Sequence, residues 1–467
     1  MKGSAWQHAL YRPALALAIV YASLLYVFIL QHSGFYTDDF DRMVEAAHSS
    51  FWQALWVPVD VHEVPGFKAL AYLSCRYAPL NFPWAIAEIA LLELLSLLLM
   101  ARILRRLGGG WPSQVMLFYY GAQVFLLGTM NWWAASLHRM PYVLICLLAF
   151  DRHLRDRDRI DRAYLVQQAL LVVLATSFFE KGVFLPFYLL ALEMALSWRQ
   201  QQKLFSRRLY PLLLLTPWSL IYILWYEFYA PVLHVAAPSH WALTLAIVTI
   251  NLKILWSGLW TFAVARVPLD LALPGVLLLA GWGRRRLWRA LIPALMLILT
   301  LLVNLFSVAV QPRTQIFGTQ LAYASRYYWD LQFLVAIFGR MLWSPAADSW
   351  ELPGLPALLL IYGLALAYSG ASLTHAETTF LRSEEGQRMQ SAHDYLQNLR
   401  QDLAAHPGPL RLEETTLGRR AYCCLAMPPR LADVLALSDP QLMFVPAAEA
   451  DWRLNAEGHL QRIDAAR

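Results

Sequence analysis

Two adjacent carboxylates, Asp38 and Asp39, follow Tyr36-Thr37 a few residues beyond the first long apolar run of the chain. A carboxylate within about 3 Å of a hydroxyl can act as its general base. Successive helical residues point roughly 100° apart, so one of the pair can face a cavity while the other is left for a structural hydrogen bond or a metal. The plainer reading is a capped helix start, with Thr37 as N-cap and Asp38, Asp39 and Asp41 in a first turn where the helix dipole favours carboxylates. In the same loop, His62-Glu63 could handle protons or bind a metal. Its spacing fits no strong metal motif such as HExxH, and such dipeptides commonly decorate surfaces.

The cations fall elsewhere. Arg139 follows Trp132, Trp133 and His138; Glu180-Lys181 breaks a nearly continuous apolar run from Leu165 to Leu192; Arg313 precedes Ser325-Arg326-Tyr327. A guanidinium beside aromatics at the end of a membrane span offers a bidentate fork to a phosphate or diphosphate. A snorkelling arginine, a tight-turn ion pair and an anchored aromatic belt would use the same residues.

What positions these groups is set by composition. The 467 residues are 58% hydrophobic and 15% charged, against about 25% charged in soluble domains, and the mean hydropathy is +0.43. The chain therefore reads as an integral membrane protein. Its 19 Trp and 22 Tyr suit interfacial belts. The net charge of +6 comes mainly from short basic clusters between apolar runs, as the positive-inside rule produces, so no nucleic-acid partner is needed. The first apolar run is too long for a signal-peptide core and reads as a retained span. One disulfide among Cys75, Cys423 and Cys424 is conceivable.

Apolar runs of roughly 17 to 20 residues cross the bilayer. The first is Pro13 to Leu30, with Lys2 and Arg12 placing the N-terminus inside. A long outer loop, 31–82, carries amphipathic surface helices, one with Phe40, Met43, Val44, Ala47, Phe51 and Leu55 on its apolar face and a second after Pro65. Further spans are read near 84–100, 113–130, 136–150, 163–179 and from Glu180 to Arg199, then 209–226, 268–282, 290–310, 329–343 and 355–373. Trp241 to Phe262, with Asn251 and Lys253, is taken as re-entrant or superficial, because a crossing there would put Arg284-Arg285-Arg286 outside. The expected architecture is an α-helical polytopic membrane protein of about 11 spans, N-terminus in and C-terminus out. Residues 1–373 form the transmembrane domain and 374–467 a small α/β extracytoplasmic domain, whose first helix carries Met389, Ala392, Tyr395, Leu396 and Leu399 on one face. This topology puts Asp38, Asp39, His62, Arg139, Glu180, Lys181, Arg313 and Arg326 on one side of the membrane.

In Tyr36-Thr37-Asp38-Asp39, Phe179-Glu180-Lys181, Ser325-Arg326-Tyr327 and the outer C-terminal domain, the chain resembles the glycosyltransferase C superfamily. These membrane enzymes use polyprenyl-phosphate-linked sugars and are related in plan to protein mannosyltransferases and aminoarabinose transferases. The resemblance covers most of the chain as architecture and only these short pieces as motifs. It implies a catalytic carboxylate at Asp38 or Asp39, and a donor phosphate facing Arg326 and Lys181. His62, Glu63, Arg139, Glu180, Arg313 and Tyr327 complete the binding set. It further implies a polyprenyl-phosphate-sugar donor and a glycan, lipid or protein acceptor. A compact chain without eukaryotic sorting signals is expected in a bacterial inner membrane, with the site facing the periplasm. The second outer loop lacks the acidic pair that some relatives carry, so no metal ligand is assigned and a divalent cation stays open. The rival readings are a transporter or flippase, which usually places its charges near the midplane on broken, repeat-related helices, and a non-catalytic component of a polysaccharide export assembly.

Overall fold

The computed structural model describes residues 5–56, 64–122, 126–205, 207–229, 245–250, 284–309, 329–342, 380–418, 428–438 and 441–463, with scattered positions between 363 and 378. His62, Glu63, Lys253, Asn251, Arg313, Arg326 and Tyr327 lie outside them, as do Cys423 and Cys424 and most of the stretch read as re-entrant.

Helix α1 (Ala5–His32) is followed by three loop helices, α2 (Asp38–His48), α3 (Phe51–Trp56) and α4 (Pro65–Tyr77). Then come α5 (Phe82–Arg106), α6 (Gly110–Gly121), α7 (Leu126–Met130), α8 (Trp133–Asp156) and α9 (Arg162–Phe178). A short 3-10 turn (Glu180–Phe184) leads to α10 (Leu185–Arg199), α11 (Leu209–Leu213), α12 (Thr216–Tyr229), α13 (Arg284–Ala309) and α14 (Gln332–Leu342). Among the described residues four helices are long and apolar enough to cross a membrane: Pro13–His32, Phe82–Arg106, Trp133–Asp156 and Glu180–Arg199. Four shorter apolar helices accompany them, Arg162–Phe178, Leu209–Trp225, Ala290–Leu305 and Gln332–Leu342. Each coincides with an expected span. The expected third span is divided into α6 and α7, and the expected seventh into α11 and α12. The count of about 11 extends beyond what the described residues contain.

Helix α8 lies at the centre, packed by α5, α9, α4, α2 and α10, and nearly its whole length is buried. Small residues permit close approach where helices cross: a Cβ added at Gly121 on α6 would come within 2.5 Å of the Ala18 Cβ on α1, the type of small-residue contact that membrane helices use to pack. At the end expected to be cytoplasmic, the basic clusters are tied to buried acids. Asp151 on α8 accepts from Arg102 at 2.7 Å and Arg106 at 2.9 Å on α5. Glu193 on α10, fully buried, accepts from Arg157 at 2.6 and 2.9 Å and contacts His153 at 3.1 Å; His153 in turn meets the Tyr164 hydroxyl at 2.7 Å.

The loop helices differ from a single continuous element. The chain breaks between α2 and α3 because Ser50 caps α3: Gln53 N donates to Ser50 Oγ at 3.4 Å while Gln53 Oε1 accepts from Ser50 N at 3.0 Å, a reciprocal capping box. The face α2 buries carries Asp39, Phe40, Met43 and Ala46, while Val44 and Ala47 are only half-buried. In α4, Phe67, Lys68, Ala71, Ser74 and Cys75 are buried and Leu73 is exposed. Cys75 is a free, buried thiol, and burial raises its pKa.

After the membrane part, α15 (Glu384–Ala405) precedes β1 (Leu410–Glu413), α16 (Leu431–Leu435), β2 (Leu442–Val445), β3 (Trp452–Leu454) and β4 (Leu460–Arg462). The sheet order is β2-β1-β3-β4, with β1 parallel to both β2 and β3, and β3 antiparallel to β4. Met389, Ala392, Tyr395, Leu396 and Leu399 are all buried on α15, the face expected from periodicity. This small α/β unit rests on α2 through α16, where His48 Nε2 and Asp433 Oδ1 are 2.8 Å apart.

Candidate functional site

The two aspartates divide as their geometry requires. Asp39 is fully buried, and its carboxylate accepts two backbone N–H groups at 2.8 Å, Tyr36 on Oδ2 and Ala134 on Oδ1. It thereby ties the start of α2 to the start of α8. Burial raises its pKa, the two amides work against that, and Asp38 and Asp41 add repulsion that raises it further. Asp38 stays half-buried at the first position of α2.

Thr37 does not cap α2 as expected. Its side chain makes no capping bond, and its backbone sits at φ +42° and ψ −109°. A β-branched residue at positive φ is an outlier, which costs on the order of 1–3 kcal/mol and persists only where neighbours over-determine it. Asp39 supplies that determination by gripping Tyr36 on the other side of Thr37. Aromatic contacts assist: Phe35 meets Trp133 at 5.7 Å and Tyr36 meets Trp132 at 5.8 Å, both edge-on.

From Ala134, α8 runs inward to His138 and Arg139, about one and a half turns on. There Phe179, at the end of α9, collects the polar groups. The Arg139 guanidinium lies 5.3 Å and the Lys181 ammonium 5.4 Å from its ring centre, distances at which a cation is attracted to the ring. His138 meets the same ring at 4.5 Å and Tyr142 at 5.4 Å. Arg139 and Lys181 are both buried. Arg139 Nη1 also donates to Ala135 O at 3.3 Å, and Lys181 Nζ lies 2.7 Å from Asp330 Oδ2. Glu180 opens the 3-10 turn and is half-buried. The close turn at Gly182 leaves no room for a side chain, since a Cβ there would approach the Thr176 N to 2.3 Å.

Of the residues singled out by sequence, Asp38, Asp39, Arg139, Glu180 and Lys181 are described. Asp39 and Arg139 are linked through α8, and Arg139 and Lys181 through Phe179. Three contributors were not foreseen. Asp330, fully buried, is the ion partner of Lys181. Glu88 clamps α4, α5 and α8 by accepting from Ser74 at 2.7 Å, Trp84 at 2.9 Å and Trp133 at 3.4 Å. Lys68 is buried and pairs with Glu45, which also accepts from Arg42 at 2.5 Å. Burial, then the nearby Arg42, brings the Lys68 pKa from 10.5 to about 8, with Glu45 opposing. The sequence did mark the aromatic context of Asp330: it adjoins Tyr327-Tyr328-Trp329. Among the described residues, no group of three His, Cys, Asp or Glu side chains is arranged to hold a metal ion.

No family model matches the chain, and no curated protein matches it. Among solved structures it is similar to the crystal structure of ArnT from Cupriavidus metallidurans bound to undecaprenyl phosphate, with 15% sequence identity and a TM-score of 0.45 over 93% of this chain and 86% of that one. A likeness of that degree carries no argument about what this chain does.

Proposed function

We propose that the chain is a membrane glycosyltransferase that moves a sugar from a polyprenyl-phosphate donor to a hydroxyl of a glycan, lipid or protein acceptor on the outer face of a bacterial inner membrane. The observation that carries this reading is the division of labour in the acidic turn. Asp39 is engaged in holding the turn on α8, and Asp38, half-buried at the first position of α2, is the carboxylate to which the chemistry is assigned. On the same helix, Arg139 lies toward the paired cation site at Phe179.

In this reading Asp38 accepts the proton of the acceptor hydroxyl as its oxygen attacks the anomeric carbon. The sugar–phosphate bond breaks, and the polyprenyl phosphate leaves with the negative charge. Arg139 and Lys181 stabilise that charge as it develops. Asp330 keeps Lys181 extended and offsets the cost of burying an ammonium before substrate arrives. Arg326, Arg313 and Tyr327 belong to the donor-phosphate side by their sequence pattern, and His62 and Glu63 to the acceptor side of the same loop.

The test is complementation of a deletion strain with Asp38→Asn, read by mass analysis of surface glycans. Loss of the glycan with normal protein levels supports the assignment. An unchanged glycan would remove Asp38 from the chemistry.

A further inference from the structure

A second polar site lies away from Phe179, where the C-terminal unit meets the membrane domain. A cleft of about 450 Å³ opens between the outer end of α1, the start of α5 and one face of α15. Its polar lining is Gln31, His393, Gln397 and Arg400, and Phe35 and Phe82 are among its apolar walls. The two rings pack edge-on at 5.3 Å. The α15 wall is held close: a Cβ on Gly34 would sit 3.0 Å from the His393 Cα.

Four observations bear on what this cleft takes. No carboxylate lines it. His393, Gln397 and Arg400 fall four and three residues apart, so they share one face of α15. Among the described residues, none of the four polar side chains has a hydrogen-bond or ion-pair partner. Elsewhere on α15, Arg388 pairs with Glu384, Asn398 donates to Glu457 O at 2.9 Å, and Asp402 accepts from Leu460 N at 2.7 Å. Arg400 is exposed at the mouth of the cleft, as are Gln31 and Gln397, and His393 is half-buried; what burial Arg400 has lowers its pKa from the ordinary arginine value.

We infer that this cleft is an anion site for a phosphate-bearing headgroup at the membrane–water boundary, with Arg400 and His393 as its cationic or donor side and Gln31 and Gln397 as amide donors. A guanidinium presents two parallel N–H groups to two phosphate oxygens. The amides and imidazole satisfy the remaining oxygens, and the Phe35–Phe82 wall accommodates apolar atoms beside the phosphate. Two sources share this chemistry, an anionic phospholipid of the outer leaflet and a soluble phosphate ester. The site is separate from Asp38 chemistry, so failure of the glycosyltransferase reading leaves it standing.

The experiment uses the full chain in phosphatidylcholine nanodiscs with and without phosphatidylglycerol, and native mass spectrometry to count retained lipid. Inorganic phosphate serves as the soluble probe. Arg400→Gln/His393→Gln is compared with wild type and with Arg388→Gln, a surface change on the same helix; thermal unfolding confirms that all three fold. Retained phosphatidylglycerol that falls roughly tenfold in affinity in the double variant, and is unaltered by Arg388→Gln, supports the site with a lipid source. Phosphate binding in phosphatidylcholine alone, lost in the double variant, supports it with a soluble source. Equal binding of both probes by wild type and the folded double variant, or binding of neither probe by wild type, overturns it.

Discussion

The Asp39 carboxylate accepts the Ala134 backbone N–H at 2.8 Å, so one acidic side chain of the loop is the anion at the start of the central helix. A carboxylate there meets unpaired amides and the positive end of the helix dipole. Asp39 and Asp38, adjacent in sequence, consequently have different jobs.

The first prediction separates them. Asp39→Ala removes an acceptor from two buried amides and releases the strained Thr37 backbone, and should lower stability by about 2–4 kcal/mol. Asp38→Asn keeps the shape of the side chain and should cost less stability than Asp39→Ala while reducing turnover by about 10²–10⁴-fold. Thermal unfolding in detergent and transfer assayed on one preparation of each variant check both halves.

Lys181 and Asp330 give a second. Lys181→Met strands the fully buried Asp330 and should cost about 3–5 kcal/mol. Adding Asp330→Asn removes the stranded charge and should recover most of that stability. Activity should stay low in the double variant, because the cation toward the leaving phosphate is still missing. Recovery of activity together with stability would reduce Lys181 to a structural partner.

A third concerns pH. The Lys68 pKa is about 8 in the folded chain against an ordinary 10.5, so between these values the folded state binds fewer protons than the unfolded one. Stability therefore rises with pH across that window. The cost of burying the ammonium is fully present below about pH 8 and is relieved as Lys68 deprotonates. Lys68→Met should flatten this rise, since Arg42 still pairs with Glu45. Unfolding temperatures measured from pH 7 to pH 10.5 are the readout, these limits being set by the same two pKa values.

The fourth lies at the opposite end of α8. Glu193→Ala leaves Arg157 and His153 buried without their acid and should destabilise by about 3–5 kcal/mol. Asp151→Ala, whose partners Arg102 and Arg106 reach solvent, should cost about 1 kcal/mol or less. Equal effects from the two would contradict the distinction drawn from burial.

Much of this was legible in the chain. Apolar run length located α1, α5, α8, α9 and α10, since crossing hydrocarbon imposes both length and composition. The Asp38-Asp39 pair announced itself by type and place, and angular spacing already implied different environments for the two. What the sequence withheld depends on contacts between distant segments. Thr37 has a good N-cap side chain, yet tertiary grip on Tyr36 and Ala134 sets its backbone at φ +42°. Asp330 becomes the partner of Lys181 only when segments 149 residues apart meet. Lys68 reads as a surface lysine until Glu45 closes over it. The break between α2 and α3 was written locally, in the Ser50–Gln53 capping box, and was open to a closer reading.

The nearly complete burial of α8 has a mechanical corollary. Ala134 anchors the acidic turn, Arg139 faces Phe179, and His153 closes the network around Glu193, all on one helix that continues through Pro141. As long as α8 moves as a unit, a slide along its axis shifts all three by the same amount. The distance between the carboxylate side and the cation side is then set by the helix rather than by loop positions, and neither side can be retuned without disturbing the buried network around Glu193.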